Sequence, residues 1–334
     1  MLARQAGTAA AFGPLIAALE EAGEPVLVAA VGAARDAWAT RATITGARFS
    51  DLTDALEDSP RPRVLVTGTS AEAEDDALSW RWARERGIPT VAFVDSWINY
   101  ALRFTTPGGG WVTPLPDTIA TIDDAATRRL VEAGLPEDRI TSLGSPAFDG
   151  LAARRRPMPS TKSGVEILFA SQPLAGRGLP AAWDEERALA TLLTTLEGLD
   201  LGAPITLRVR LHPAEAGGAV RARLSEWSTP GASALIDERV DRHESIGSSH
   251  LVVGIVSMLL VEAQWLGRPA LSVQPGGRAA CDLLDLHDVP VITDAEALGQ
   301  VITRCLASPP AQSCAPSPAT PRWLEALTPG AEAR

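Results

Sequence analysis

The sequence predicts an α/β protein with two Rossmann-like, doubly wound domains facing each other across a cleft. Short apolar runs of strand length alternate with segments of helical period along most of the chain, which is typical of parallel βαβ units. The 334 residues exceed a typical single domain of roughly 100–200 residues, so we expect two domains. Such sheets bind ligands at the carboxyl ends of their strands, and the residues that follow strands are therefore the functional candidates.

The first half of the chain begins with a helical segment, Thr8–Ala22, after a turn at Gly7-Thr8. Only six residues, MLARQA, precede that turn, so we expect either a very short first strand or a start that lies too far downstream. Helices are predicted near 72–86 and at 124–134, the second ending in Gly134 as a C-cap. Further strands of this half are predicted at 25–31, 62–68, 90–95, 117–123 and 139–144.

A basic, proline-containing segment, Ala152–Gly164, has no apolar period and is predicted to link the two domains. The second half then starts again with strands at 165–173 and 205–213 and a helix near 184–196, followed by strands in ASALID, HLVVG, PALSV and VPVIT. We therefore expect an amino-terminal domain at 1–153, a second domain at 164–308 and a carboxyl-terminal tail at 309–334 that ends in a short helix.

Charge and composition exclude several classes of partner. The formal net charge of -11 disfavours nucleic acid and a broadly basic membrane-binding face. The residues after Met1 predict no signal peptide, and no uncharged apolar stretch reaches the length of about 18 residues that a transmembrane helix needs. The three cysteines form no CxxC pair and are interpreted as reduced thiols, which indicates a cytoplasmic protein.

The segment Leu251–Pro275 reads as strand, loop, helix and strand, and it carries the strongest signal for a site. Ser257 stands at the N-cap position, beside the helix amides that attract phosphate. Glu262 follows inside an apolar stretch of that helix, where a carboxylate needs a partner. A ligand hydroxyl is one candidate partner; the alternative is that Glu262 lies at the solvent edge of a capped helix.

Two other strand ends of the second half carry polar residues. Ser171 and Gln172 follow one strand, where a hydroxyl, an amide and exposed backbone NH groups could meet a diphosphate. His212 follows a strand that contains Arg208 and Arg210, which places a titratable donor near two cations and makes His212 a catalytic candidate as well as a binding one. The other histidines have no such context and are interpreted as structural or surface residues: His243, His250 and His287.

In the first half, Asp95 follows the strand at 90–95 and is the candidate acid or base. Its carboxylate could act as a general base or orient an acceptor hydroxyl. The alternative is that Asp95 caps the next segment, with Trp97 and Phe104 as packing residues.

Together these motifs resemble a known fold family. Ser171-Gln172-Pro173, the RLHP motif at 210–213 and SMLLVEAQWLGRPALSVQPG at 257–276 resemble the carboxyl-terminal domain of GT-B glycosyltransferase-like proteins. They are similar to bacterial cell-surface polysaccharide enzymes and to the UDP-N-acetylglucosamine 2-epimerase superfamily. GTAAAFGPLIAAL at 7–19 and the segment at 116–151 resemble the first domain of the same fold.

The resemblance implies a nucleotide-sugar site made mainly by the second domain and an acceptor site in the first. It puts Ser171 and Gln172 near the diphosphate, His212 on phosphate or ribose, and Glu262 on the ribose hydroxyls. Ser257 and the helix amides, those of Met258 and Leu259, would bind the distal phosphate, and an arginine such as Arg210 would help to stabilise the developing charge. The acceptor pocket would hold Asp95 as base and be lined by Gly7, Thr8, Asn99, Tyr100 and Arg103.

The function that these residues imply is transfer of a sugar from a nucleotide sugar, with UDP as the expected nucleotide, to a glycan or small-molecule acceptor. No DxD pair follows a strand, since Asp75-Asp76 and Asp123-Asp124 are interpreted as helix starts, so we expect a metal-independent enzyme without a cofactor. A homodimer is possible.

Two alternatives stay open. A 2-epimerase usually carries an acidic residue in a GDT-type turn, where this chain has Thr67–Ser70, and a Gly-Gly with paired glutamates, where it has Ser257–Leu260 and a single Glu262. A non-catalytic protein that keeps the nucleotide site is the other alternative. A phospho-polyol transferase is less expected, because this chain is acidic.

Overall fold

The computed structural model describes residues 1–71, 73–174, 180, 182–213, 215–307 and 313–328. The chain divides into two compact units: unit 1 is Met1–Asp149 with Pro316–Arg334, and unit 2 is Gly150–Ala315. Each unit has one parallel β-sheet flanked by helices, which confirms the predicted α/β fold class. Within the described residues, no helix combines the length and the apolar character needed to cross a membrane.

Unit 1 contains a seven-stranded parallel sheet in the order β3-β2-β1-β4-β5-β6-β7. The order reverses between β1 and β4, as in a doubly wound fold, and this reversal creates a crevice at the carboxyl ends of the two strands. The first strand is very short, as one of the sequence interpretations had it. The strands are β1 (Leu2–Ala3), β2 (Ala29–Val31), β3 (Ile44–Gly46), β4 (Leu65–Gly68), β5 (Thr90–Val94), β6 (Thr118–Thr121) and β7 (Ile140–Ser142).

The first helix of unit 1 packs very close to the sheet. A Cβ atom added to Gly68, at the end of β4, would lie 2.3 Å from Cγ2 of Thr8, so only glycine allows this approach. The predicted turn at Gly7-Thr8 is wrong, because both residues lie inside the helix and the turn falls at Arg4-Gln5. The helices before the unit boundary are α1 (Ala6–Glu21), α2 (Ala34–Ala37), α3 (Thr53–Glu57), α4 (Ala73–Glu85) and α5 (Asp124–Glu132).

Unit 2 contains a six-stranded parallel sheet in the order β10-β9-β8-β11-β12-β13. Its order reverses between β8 and β11. The strands are β8 (Val165–Ala170), β9 (Ile205–Arg210), β10 (Ala232–Ile236), β11 (Leu251–Gly254), β12 (Ala270–Val273) and β13 (Val291–Ile292). The helices are α6 (Glu185–Glu197), α7 (Gly218–Glu226), α8 (Arg242–Ser248), α9 (Met258–Trp265), α10 (Asp282–Asp285) and α11 (Ala295–Ala307).

The last helix, α12 (Thr320–Leu327), belongs to unit 1. Its Trp323 is fully buried, packs edge-on against Phe93 of β5 with ring centroids 5.3 Å apart, and donates a hydrogen bond to the carbonyl oxygen of Gly144. Asp149 accepts hydrogen bonds from the backbone NH groups of Ala319 and Thr320 and holds the start of the helix. The segment that the sequence predicted to be a separate tail thus completes the core of unit 1.

Candidate functional site

The loops at the strand-order reversal of unit 2 are joined by a hydrogen bond. Oε1 of Gln172, after β8, accepts from the backbone NH of Val256, after β11, at 3.1 Å. The two strands lie close here, since a Cβ atom on Gly254 would be only 3.3 Å from Ala170. Gln172 therefore bridges the two loops that such folds use to bind phosphate.

A second contact connects the loops after β8 and β9. The hydroxyl of Ser171 donates to Oε1 of Glu215 at 2.9 Å, and the backbone NH of His212 donates to the other oxygen at 3.1 Å. The structure thus brings Ser171 and His212 onto one carboxylate. Sequence reasoning missed Glu215, which follows no strand directly and carries no motif.

Ser257 is the N-cap of α9, as predicted. Its hydroxyl accepts a hydrogen bond from the backbone NH of Leu259 at 3.3 Å. Met258 and Leu259 form the first turn of that helix, whose amino end carries a partial positive charge and suits an anion.

Glu262 lies in the second turn of α9 and is 2% exposed, so it is not at a solvent edge. Both of its protein partners bind the same oxygen: Nε of Arg242 is 2.8 Å and Nε2 of His243 is 2.9 Å from Oε2. No described residue donates a hydrogen bond to Oε1. Burial opposes ionisation of this carboxyl, but Arg242 and His243 outweigh it and hold its pKa below the 4.5 of an ordinary glutamate.

Sequence reasoning missed this pair of partners. Arg242 was not singled out, and His243 was interpreted as a structural or surface residue. Asp241 caps α8 by accepting a hydrogen bond from the backbone NH of His243. Because α8 packs on α9, this short helix delivers both side chains to Glu262. The sequence does show an acidic N-cap followed by Arg-His, which indicates a helix start. It does not indicate that this helix contacts Glu262.

The guanidinium of Arg210 is engaged by the protein. Nη1 donates to Asp237 at 2.9 Å, to the carbonyl oxygen of Arg239 at 2.8 Å and to Ser245 at 3.1 Å, and Nη2 donates to the carbonyl oxygen of Val240. Arg210 therefore ties the loop after β10 to α8. These contacts indicate that the Arg210 side chain stabilises the loop. The sequence prediction is that Arg210 contacts the nucleotide.

In unit 1, Asp95 stands at the end of β5 and belongs to a buried polar cluster. Its Oδ1 lies 3.1 Å from Nη1 of Arg103, and its Oδ2 accepts from the hydroxyl of Thr8 at 3.1 Å. Arg103 also donates to the hydroxyls of Thr69 and Ser96. Thr8, Thr69 and Asp95 come from the ends of β4 and β5 and the start of α1, so this cluster lies at the carboxyl edge of the sheet.

The remaining residues predicted to line an acceptor pocket lie around this cluster. Asn99 adopts a left-handed backbone conformation with φ of 59°, and its carbonyl oxygen accepts from the backbone NH of Arg103. Tyr100 packs on the hydrophobic core of unit 1. A Cβ atom on Gly7 would be 3.6 Å from Oδ2 of Asp95, so the first turn of α1 passes beside the carboxylate.

The acidic pairs behave as the sequence predicted. Asp123 caps α5 by accepting from the backbone NH of Ala126, and Asp75 and Asp76 lie in the first turn of α4. Asp76 also bonds to Arg4 and Ser70, and burial raises its pKa. Among the residues that the structure describes, no group of three or more histidine, cysteine, aspartate or glutamate side chains is arranged to hold a metal ion. Metal independence stays a prediction.

No protein-family model matches the chain, and no curated protein matches its sequence. Solved structures match its fold. The UDP-GlcNAc 2-epimerase of Neisseria meningitidis, solved bound to UDP-GlcNAc, is 15% identical and superposes with a TM-score of 0.70 over 98% of each chain. The UDP-GlcNAc 2-epimerase of Methanocaldococcus jannaschii is 11% identical, with a TM-score of 0.69 over 98% of each chain.

A third structure, Anabaena HepE in complex with UDP and glucose, is 12% identical with a TM-score of 0.56, covering 91% of this chain and 89% of HepE. At these identities the likeness establishes the fold. The chain has a GT-B-like fold with two α/β units, as the sequence predicted, and it is similar in fold to the 2-epimerases and HepE.

Proposed function

We propose that this chain is an enzyme that binds a UDP-linked sugar and acts on its sugar moiety. One observation carries the proposal: Glu262 is a buried carboxylate with one oxygen held by Arg242 and His243 and the other without a protein donor. Because Oε1 has no donor among the described residues and is not among the fully buried atoms that lack a partner, it is open to solvent, and a ligand hydroxyl can reach it on the helix that begins at Ser257.

The surrounding geometry suits the rest of a nucleotide diphosphate. The amino end of α9 offers backbone NH groups and a favourable dipole for phosphate, and Ser171, Gln172 and His212 lie on the neighbouring loops. We assign ribose to Glu262 and the diphosphate to these loops and the helix start. Arg210 is assigned a supporting role, because its guanidinium already holds the loop after β10.

For the reaction, we favour chemistry of the 2-epimerase kind. The similar structures support this choice, because two of them are UDP-GlcNAc 2-epimerases and one of these was solved bound to UDP-GlcNAc. Inverting C2 of a sugar requires the C2–H bond to break, and its electron pair forms a double bond to C1 as the bond from C1 to the UDP oxygen breaks. UDP then adds back to C1 and a proton returns to the other face of C2, so the proton transfers need an acid–base group. We assign that role to Asp95 of unit 1, whose carboxylate Thr8 and Arg103 hold in place.

Glycosyl transfer is the second candidate, and one observation favours it. Thr69 occupies the turn in which 2-epimerases usually carry an acidic residue, and its hydroxyl is engaged with the carbonyl oxygen of Phe93 and with Arg103. With Asp95 as the assigned acid–base group, deprotonation of an acceptor hydroxyl is a simpler task than proton exchange at carbon.

The experiment is an incubation of the purified chain with UDP-GlcNAc in D₂O, followed by proton and phosphorus NMR. Deuterium at C2 with formation of the C2 epimer supports the epimerase reaction. Release of UDP only when an acceptor sugar is added supports transfer. Binding of UDP without turnover of any UDP-sugar supports the non-catalytic alternative, and absence of UDP binding contradicts the proposal altogether.

A further inference from the structure

Glu262 is clamped on one side only. Arg242 and His243 approach the same oxygen, Oε2, from the same short helix, and their contacts of 2.8 and 2.9 Å are normal charge-assisted hydrogen bonds. The side chains of Glu262 and His243 are 3% and 12% exposed, so water competes little for these bonds. A glutamate side chain has three rotatable bonds, and two donors on Oε2 restrict the direction in which Oε1 points.

The contact between Arg154 and His243 favours one tautomer of the imidazole ring. Nη1 of Arg154 lies 3.1 Å from Nδ1 of His243, and since a guanidinium can only donate, this contact is a hydrogen bond in the tautomer that leaves Nδ1 unprotonated. The ring proton then resides on Nε2, where it is donated to Glu262. Oδ1 of Asp241 is 3.7 Å from Nδ1, beyond hydrogen-bond distance.

Asp241 acts on Arg154 instead. Its Oδ2 accepts from Nη1 of Arg154 at 2.7 Å, while its Oδ1 caps α8. Asp241 therefore orients Arg154, Arg154 selects the His243 tautomer, and His243 orients Glu262. All four residues belong to unit 2.

We propose that His243, held in its Nε2-protonated form by Arg154, is a positioning residue that aims Oε1 of Glu262 at the ribose hydroxyls of the bound nucleotide. This inference rests on the proposed function and deepens it. It makes the preference for ribose over a 2′,3′-dideoxyribose depend on His243, a residue that does not itself contact the ligand.

The test compares binding of UDP and 2′,3′-dideoxy-UDP by calorimetry. His243→Ala is expected to weaken UDP binding roughly tenfold to a hundredfold, the effect of one charge-assisted hydrogen bond, and to leave dideoxy-UDP binding within about twofold. His243→Gln, whose amide can donate from nearly the same position, should recover most of the UDP affinity. Arg221→Ala removes an exposed cation of unit 2 and is the matched control.

The outcomes separate this inference from the proposed function. Equal losses for both nucleotides in His243→Ala overturn the positioning role while nucleotide binding stands. Equal affinity of the native chain for both nucleotides overturns the assignment of ribose to Glu262 and the inference with it. A native chain that binds neither nucleotide overturns both proposals.

A second measurement needs no nucleotide and covers the case in which His243→Ala fails to fold. Nitrogen-15 NMR of the four histidines, assigned with the His243→Gln variant, is expected to show His243 protonated on Nε2 and bare on Nδ1. Arg154→Ala should disturb this tautomer and Arg154→Lys, which keeps a donor, should preserve it. A native His243 protonated on Nδ1, or a tautomer unaffected by Arg154→Ala, overturns the inference.

Discussion

Arg103 and Asp95 form an ion pair of 3.1 Å whose side chains are 9% and 16% exposed. Because Arg103 also bonds to Thr69 and Ser96, it fixes the orientation of the Asp95 carboxylate. The family resemblance implies that Arg103 lines an acceptor pocket. Its contacts support a role in holding the acid–base group.

Replacing Asp95 by asparagine tests that acid–base role. Asp95→Asn keeps the shape and loses the charge, so we expect UDP affinity to be retained and turnover to fall by about 10²–10⁴-fold. Steady-state rates and calorimetry measure the two quantities. Thr8→Val, which removes one hydrogen bond to Asp95 but keeps the packing against Gly68, is the milder control. Unchanged turnover in Asp95→Asn would remove Asp95 from the mechanism.

Glu262→Ala and Glu262→Gln are expected to differ. The alanine variant leaves the half-buried Arg242, whose side chain is 29% exposed, without its anion, which costs roughly 1–3 kcal/mol in the free energy of unfolding. The glutamine variant keeps an acceptor for Arg242 and should cost less, yet still weaken UDP binding. Denaturant unfolding and calorimetry on both variants check this. If Glu262→Gln binds UDP as tightly as the native chain, Glu262 is a structural residue.

Gly68→Ala is expected to destabilise unit 1. Its Cβ would meet Thr8 at 2.3 Å, and such overpacking typically costs about 1–3 kcal/mol. Gly13→Ala is the matched control, because no atom lies within 4 Å of its added Cβ and it occupies the interior of α1. Chemical denaturation should show a loss for the first variant only; similar stabilities would mean that α1 can move away from β4.

Trp323→Ala is expected to destabilise unit 1 by about 3–5 kcal/mol, because it removes a fully buried ring and the hydrogen bond to Gly144. Glu325→Ala, an exposed position on the same helix, should be nearly neutral. Thermal unfolding of the two variants gives the comparison. A neutral Trp323→Ala would contradict the packing of α12 on unit 1.

Acid should destabilise unit 2 through two glutamates. Burial raises the pKa of Glu166 and of Glu262, but their arginine partners outweigh this effect and lower both pKa values below 4.5. The partners are Arg239 and Arg208 for Glu166 and Arg242 for Glu262. Since the folded-state pKa lies below the unfolded value, the stabilisation is present above pH 4.5 and is lost as the pH falls through the folded-state pKa. The double variant Glu166→Gln/Glu262→Gln should show a flatter decline of melting temperature between about pH 5 and 3 than the native chain or the exposed-site control Glu226→Gln.

Local patterns sufficed for most of the fold. Apolar runs located the strands because a doubly wound sheet is buried on both faces, as in β11 and β12, which have no exposed residue. Ser257 was found because an N-cap is a local feature. The strand at Ile44–Gly46 was missed, since three residues of low hydrophobicity carry no period.

The candidate site was predicted only in part, for a physical reason. Ser171, Gln172 and His212 follow strands, and the topology alone brings them to one edge of the sheet. Arg242 and His243 reach Glu262 through the packing of α8 on α9, and such long-range contacts leave no periodic signal in a single sequence. The place of α12 was hidden in the same way, because a short amphipathic helix does not reveal which core it covers.

The return of the chain to unit 1 has a consequence for biosynthesis. All strands and helices of unit 2 are translated before Trp323, which fills the centre of the core around Phe12 and Phe93. During vectorial synthesis, unit 2 can finish folding while unit 1 still exposes the apolar surface reserved for α12. In nascent chains stalled before residue 320, unit 1 should therefore remain incompletely folded and accessible to chaperones. Release of α12 from the ribosome would be the step that completes the core of unit 1.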